Sequence, residues 1–309
     1  MIFQTRREFA ACFLLALAAF STVSDGAPRR PKILGISHVR ILVSDYCEGV
    51  AFYSRFENQP RRCTTGEKRT SGIAFANSHG FIGLNTRSPS DQANLLAEVA
   101  FWTDDATALR RYLISHGIPV SDDRKTVFKV RDPEGHLISF FERKKSATNI
   151  PHGNPSEPRI IHAGFVVRDR EAMDRLYKDI LGFHVYWHGG MKDDETDWVD
   201  MQVPDGTDWI EYMLNVSSNA DKKELGVMNH IALGVPDIHA AEQQLLKNGV
   251  RLTEKPEIGR DGKWQLNLYD PDDTRVELME FTPVQKPCCA DYTGPHPGPQ
   301  SASKVPAKP

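Results

Sequence analysis

Four short apolar, β-branched runs recur along the chain, at residues 37–43, 97–102, 161–167 and 229–235. Each is followed by an acidic turn, at Asp45, at Asp104 and Asp105, at Asp169 and at Asp237. A carboxylate there can accept hydrogen bonds from the free N–H groups of a helix start, so each turn predicts a strand passing into a helix. Apolar residues at helical spacing follow, most plainly Ala106, Leu109, Leu113 and Ile114, then Ala240, Leu245 and Leu246. Gly117 and Gly249 stand where these two helices must close, a place for left-handed backbone. Short strands and polar turns return the chain. Two units end alike, with an Asp-Pro turn at Asp132 or Asp270 feeding a last apolar strand. The repeating unit is β-α-β-β-β, present four times, and the Pro-, Gly- and Asn-rich residues 149–158 divide it into two pairs. The fold class is α+β, with paired-unit domains at residues 33–146 and 159–282.

The two ends do not follow this pattern. Residues 1–27 combine a cationic start with Arg6 and Arg7, an apolar run and a stretch of small residues. That order predicts a signal peptide of the twin-arginine type, exporting a folded protein to the periplasm or beyond. The rival reading is an uncleaved anchor, for which the run is short against the ~20 residues of a membrane span; no stable membrane insertion is expected once the signal is removed. From Pro283 prolines are frequent and apolar periodicity is lost, which predicts an unfolded tail over residues 283–309. A net charge of -3 supplies no basic field for phosphates, so nucleic acid is excluded as a partner. Removing the signal discards Cys12 and leaves Cys47, Cys63, Cys288 and Cys289. An oxidising compartment permits a Cys47–Cys63 bridge, but several pairings are open, and the thiols are read as free or purely structural.

The four-fold β-α-β-β-β pattern resembles the vicinal oxygen chelate superfamily over nearly the whole chain between signal and tail. That superfamily includes lactoylglutathione lyase (glyoxalase I), extradiol dioxygenases, methylmalonyl-CoA epimerase and antibiotic-resistance proteins. The resemblance implies two domains, each an open, cupped sheet around a metal position, with ligands on the first and last strands of each unit. In the second domain those positions hold His162, Glu211, His230 and Glu277, at spacings similar to those of compact bacterial glyoxalases. In the first they hold His38, no acid in residues 80–85, then Glu98 and Ser139, which implies a degenerate, metal-free domain. Strand alternation adds a contrast, because residues two apart share a face. Beside His162 lies Gly164, and beside His230 lie Ala232 and Gly234, leaving room above the sheet; beside His38 lie Arg40 and Leu42, which fill it.

Two imidazoles and two carboxylates suit a divalent transition metal, and nickel, cobalt, zinc, manganese and ferrous iron are all compatible. The expectation is one ion per chain, in the second domain. A small-molecule substrate with two adjacent oxygens would chelate it, and the ion's charge would stabilise the oxyanion formed when a proton beside a carbonyl is removed. The resemblance to glyoxalase I implies Glu277 as base and Glu211 as a ligand that shifts in turnover; the alternative is that both are plain ligands. Asn215 follows Glu211 as in bacterial glyoxalases, and Arg168 and Lys263 are candidates for holding an anionic substrate. The expected activity is a glyoxalase I-like lyase or isomerase, although export separates it from the largely cytosolic thiol glutathione.

Two rivals stand beside that reading. A degenerate first domain before an intact second also resembles type I extradiol dioxygenases, whose iron ligands would be His162, His230 and Glu277. The tyrosine those enzymes carry upstream is here Tyr269, directly before the turn, and their histidine is absent from residues 258–264. A resistance-type binding protein would instead use a pocket of Trp187, Trp198 and Trp209 with His184 and His188, and needs no metal. Four units in one chain already complete two clefts, so a homodimer is left open.

Overall fold

In the computed structural model, residues 29–57, 63, 71–76, 80–86, 94–121, 124–143 and 157–299 are described. The signal expected at residues 1–27 and most of the linker lie outside them. The first unit is β1 (Ile33–Val43), α1 (Tyr46–Tyr53), β2 (Ser71–Ala76) and β3 (Phe81–Thr86); the second is β4 (Leu96–Thr103), α2 (Ala106–Ser115), β5 (Val127–Arg131) and β6 (Leu137–Glu142). The third is β7 (Arg159–Val166), α3 (Arg170–Asp174) running on as π-helix over Arg175–Ile180, β8 (His184–Gly189), β9 (Trp198–Gln202) and β10 (Trp209–Met213). A short α4 (Lys222–Met228), not foreseen from the repeat, precedes the fourth unit. That unit is β11 (Ile231–Val235), α5 (Ile238–Lys247), β12 (Glu257–Ile258), β13 (Trp264–Tyr269) and β14 (Arg275–Glu280). The full β-α-β-β-β order is thus present in the third and fourth units. Among the described residues the first two each return through two strands.

The helix signals act as read. Asp45, Asp105, Asp169 and Asp237 each accept backbone N–H bonds in the first turn of the helix that follows. Gly117 and Gly249 both take φ +76, just beyond α2 and α5.

The strands form a six-stranded sheet, β2-β3-β1-β4-β6-β5, and an eight-stranded sheet, β12-β13-β14-β11-β7-β10-β9-β8. In each, the first strands of two units run antiparallel at the centre, β1 with β4 and β7 with β11. The last strand of each unit lies parallel on the outer side, β3 and β6 in one sheet, β10 and β14 in the other. First and last strands therefore meet in the middle of each sheet, and so do the side chains they carry. One apolar cluster runs through both domains, joining Val39, Phe101 and Phe140 to Phe165, Tyr177 and Leu233. A smaller one, with Ile161, Tyr186, Trp209 and Met279, floors the concave side of the second sheet.

Each domain also grips the Asp-Pro turn of the other. Tyr53 donates to Asp270 at 2.9 Å, and Tyr177 donates to Asp132 at 3.1 Å. Ser44 N–H donates to Asp272 and Arg168 N–H to Glu134, at 2.8 and 2.7 Å. Burial pushes both tyrosine hydroxyls well up, so they remain donors.

Two expectations are corrected. Residues 283–299 contain no helix or strand, but they are not an unfolded tail. Val284 N–H and Cys288 N–H donate to Gly262 and Arg260 carbonyls at 2.8 Å each, and Thr293 N–H donates to Tyr186 at 3.0 Å. The Tyr292 ring packs tilted against Tyr186, with 4.7 Å between ring centres. Loss of periodicity signals loss of regular structure only; backbone bonds and aromatic contacts to a preformed wall order this segment instead. The cysteines are not free thiols either: Cys47 pairs with Cys63, and Cys288 with its neighbour Cys289.

Candidate metal centre

His162, Glu211, His230 and Glu277 come from β7, β10, the residue entering β11, and β14, the four central strands of the second sheet. Register brings them together, with Glu211 opposite Gly164 and Glu277 opposite Ala232. His162 Nε2 and His230 Nε2 are 3.1 Å apart. Glu211 Oε2 lies 3.1 Å from His230 Nε2 and 3.8 Å from His162 Nε2; Glu277 Oε2 lies 3.5 Å from His162 Nε2 and 3.8 Å from His230 Nε2. Neighbouring donors around a metal held at ~2.1 Å stand roughly 3.0–3.4 Å apart; His162, Glu211 and His230 cluster closely enough to share an ion, and Glu277 stands farther out on the His162 side.

The ionisation states suit it as well. Burial pulls both imidazoles below their ordinary range, His230 to about 3 with Arg275 adding to the fall, so both are neutral. His230 Nδ1 faces the Met228 carbonyl at 3.0 Å, which fixes its proton there and leaves the lone pair on Nε2. Burial pushes Glu211 up. Burial opposes ionisation of Glu277 too, but the His162 bond and the Arg275 charge outweigh it and hold that carboxyl at about 2.

Gly164 makes the site geometrically feasible. A Cβ there would overlap His230 Cε1 and Nδ1 and stand only 3.0 Å from Nε2, so the imidazole occupies the space a side chain would need. The room foreseen at Gly234 is taken up differently, by the Phe281 ring and Ile161.

In the first domain the equivalent positions are paired with one another. Register sets Gly83 opposite Arg40, where the second domain has Glu211 opposite Gly164. Arg40 and Lys129 reach Glu98 at 3.2 and 3.3 Å, and Ser139 hydrogen-bonds the same carboxylate. His38 stacks on Phe81 at 4.2 Å between ring centres and lies edge-on to Phe141. A fixed internal ion cluster fills the cup.

A cleft of about 720 Å³ opens over the second-domain cluster. Trp187, Trp198 and Trp209 line it, but His184 and His188 do not. Lys286, Pro287 and Cys288 from the C-terminal segment form part of its wall.

The three candidate substrate contacts are placed elsewhere. Arg168 is exposed, with its N–H on Glu134 and its guanidinium on the Val216 carbonyl, so it serves the domain junction. Asn215, at φ 59, closes the turn after β10 by bonding Asp197 and the Thr196 carbonyl; asparagine tolerates that conformation better than most residues. Lys263 is fully buried beneath the cleft. Its Nζ lies 4.6 Å from the Trp209 ring centre, with Tyr186 and Tyr292 at 5.3 and 5.2 Å, and burial pulls its pKa down against the pull of Asp261 and Asp200. Sequence reading missed Arg275 and Asp200, which do line the cleft. Arg275 shares a strand face with Glu277 two positions on, and Asp200 sits opposite Glu211 across the β9–β10 pair, so alternation and register were the signals.

Residues 159–278 match the Glyoxalase/Bleomycin resistance protein/Dioxygenase superfamily. The second domain belongs to that superfamily. Over 124 residues the chain is 26% identical to a lactoylglutathione lyase of Haemophilus influenzae, covering 40% of this chain and 92% of that one. Among solved structures, homoprotocatechuate 2,3-dioxygenase from Arthrobacter globiformis superposes with a TM-score of 0.58 at 18% identity, over 82% of each chain. A 2,3-dioxygenase from Pseudomonas sp. KL28 gives 0.59 at 15%, over 88% of this chain and 96% of the other. A catechol 2,3-dioxygenase gives 0.57 at 16%, over 90% and 100%. At such identities the likeness is one of fold alone, and it spans both domains.

Proposed function

We propose that the second domain is a metal-dependent lyase or isomerase of the glyoxalase I type, acting on a small substrate with two adjacent oxygens. The observation that supports this over the rivals is the close cluster of His162, Glu211 and His230, with Glu277 3.5 Å from His162, at a cleft lined by His162 and both glutamates. His162, His230, Glu211 and Glu277 would hold the ion. When bound, a divalent ion supplies positive charge that stabilises negative charge developing on a substrate oxygen. The residues supply the rest. One carboxylate takes a proton from the carbon beside a carbonyl and returns it to the neighbouring carbon. The resemblance favours Glu277 as that base and Glu211 as a ligand that shifts in turnover, the alternative being that both are plain ligands; E211Q and E277Q separate the two. Trp187 and Trp198 give the cleft a flat apolar wall against water.

A ring-cleaving dioxygenase is the second reading, favoured by the fold likeness across both domains. Against it, the Tyr269 hydroxyl donates to Glu254 at 2.6 Å and does not line the cleft. The wall at residues 258–261 carries Arg260 and Asp261 where a histidine is needed. The test is metal analysis with two assays, hemithioacetal isomerisation and catechol ring cleavage, on wild type, E211Q and E277Q. Isomerase activity with nickel, cobalt or zinc, abolished in E211Q, supports the proposal. Ring cleavage with iron, surviving E211Q, establishes the second reading, and a protein that takes no metal leaves only a binding role. Export by residues 1–27 belongs to the same proposal and is tested by recovery of the mature chain outside the cytoplasm.

A further inference from the structure

Arg275 meets the nitrogen that His230 would offer to an ion. Its Nη2 donates to His230 Nε2 at 2.9 Å, using the lone pair that ligation requires. A guanidinium has no lone pair and keeps its proton, so this is a fixed cation bonded to a metal-ligand nitrogen. Strand alternation places it there, on the face of β14 that also carries Glu277. It is not otherwise committed: its Nε is buried without a hydrogen-bond partner, and no ion pair to it is found among the described residues. The other guanidinium of the cleft, Arg260, is already paired with Asp193.

We propose that Arg275 occupies the His230 lone pair until a divalent metal displaces it, and that the released guanidinium then binds an anionic oxygen of the substrate. This rests on the metal reading above and adds a substrate class, a small molecule with a carboxylate or other anionic oxygen beside the pair that meets the metal. The displacement follows from space and charge. An ion at ~2.1 Å from Nε2 would fall within contact distance of Nη2, and two cations that close repel. Arg275 lines the cleft, so the way out is into it.

The test uses the full chain, cobalt(II) as metal and oxalate as anion, with R275M and R275Q compared to wild type. Both variants should bind cobalt about tenfold more tightly, because a competing charge-assisted hydrogen bond is gone. The cobalt-loaded variants should bind oxalate about tenfold more weakly, read from the visible cobalt spectrum. Equal cobalt affinity in all three proteins overturns the displacement and leaves the metal site standing. Cobalt lost from both variants at unchanged melting temperature overturns it in the other direction, making Arg275 a support of the site. Unchanged oxalate binding overturns the assigned substrate class, and cobalt bound by none of the three removes the metal reading itself together with the proposal.

Discussion

Gly164→Ala is the smallest change that should dismantle the metal centre. The added methyl would overlap two atoms of the His230 imidazole and stand 3.0 Å from Nε2, its farthest neighbour of the three. Ordinary carbon contacts need ~3.5–4.0 Å, so even Nε2 must retreat by roughly half an ångström, and the near edge of the ring by more. Metal–ligand distances tolerate only about ±0.2 Å. The ring cannot slide elsewhere, because His230 is fully buried and its Nδ1 is tied to Met228. The stability cost should be that of overpacking, about 1–3 kcal/mol. Weakening a group that merely orients a ligand costs roughly 10–100-fold in affinity, and moving the ligand itself should cost no less. The assay is competition against a chromogenic chelator with thermal melts in parallel. Gly234→Ala is the control, because its methyl would press Phe281 and Ile161 rather than a donor. It should lose comparable stability while keeping its metal. A G164A protein that binds metal as tightly as wild type would show that His230 is no ligand, and the assigned centre would fall with it.

Other outcomes follow from the same geometry. His38→Ala should leave metal content unchanged, because that ring packs on Phe81 in a cup already filled by Arg40 and Glu98; metal analysis decides it. Tyr53→Phe strips a buried hydrogen bond from Asp270 and should cost about 1–3 kcal/mol in denaturant melts. Burial raises Asp270 to about 6 in the fold, against ~3.9 for a free aspartate. A raised acid favours the folded state most fully below about pH 4, and that contribution is lost as pH rises through 6. Asp270→Asn should therefore gain on wild type between pH 4 and 7, and a melting-temperature difference that stays constant across that range would contradict the assignment. Truncation after Phe281 should lower the melting temperature by several degrees and expose Tyr186 to quenchers, whereas an unfolded tail would be removed without effect.

Much of this was legible in the chain. Caps such as Asp105 and Asp237, and terminating glycines such as Gly249, are local signals that bind their own neighbours, so they act wherever the rest of the fold lies. The four donors were legible through the repeat, because equivalent strand positions in a duplicated unit reach the same place in the sheet. The substrate contacts were not. Arg168 and Lys263 are cations near the right strands in sequence, but a charge in a sequence does not say which side of the sheet it faces or how deep it lies. Lys263 is enclosed by rings from β8, β10 and the C-terminal segment, three elements with no shared local pattern. The order of residues 283–299 was hidden for the same reason. Their bonds are to a surface that exists only once the second domain has folded.

The reciprocal grip between domains has a consequence for how such a chain can change over time. In the first domain an Arg40–Glu98 pair stands at the positions equivalent to the candidate ligands, and Tyr53 holds Asp270, the turn that starts the strand bearing Arg275 and Glu277. A duplicated domain can be discarded only when nothing else depends on its shape. Here the first domain holds the turn from which the last strand of the second begins. Substitutions at that junction should therefore surface as lost activity in a domain they do not belong to.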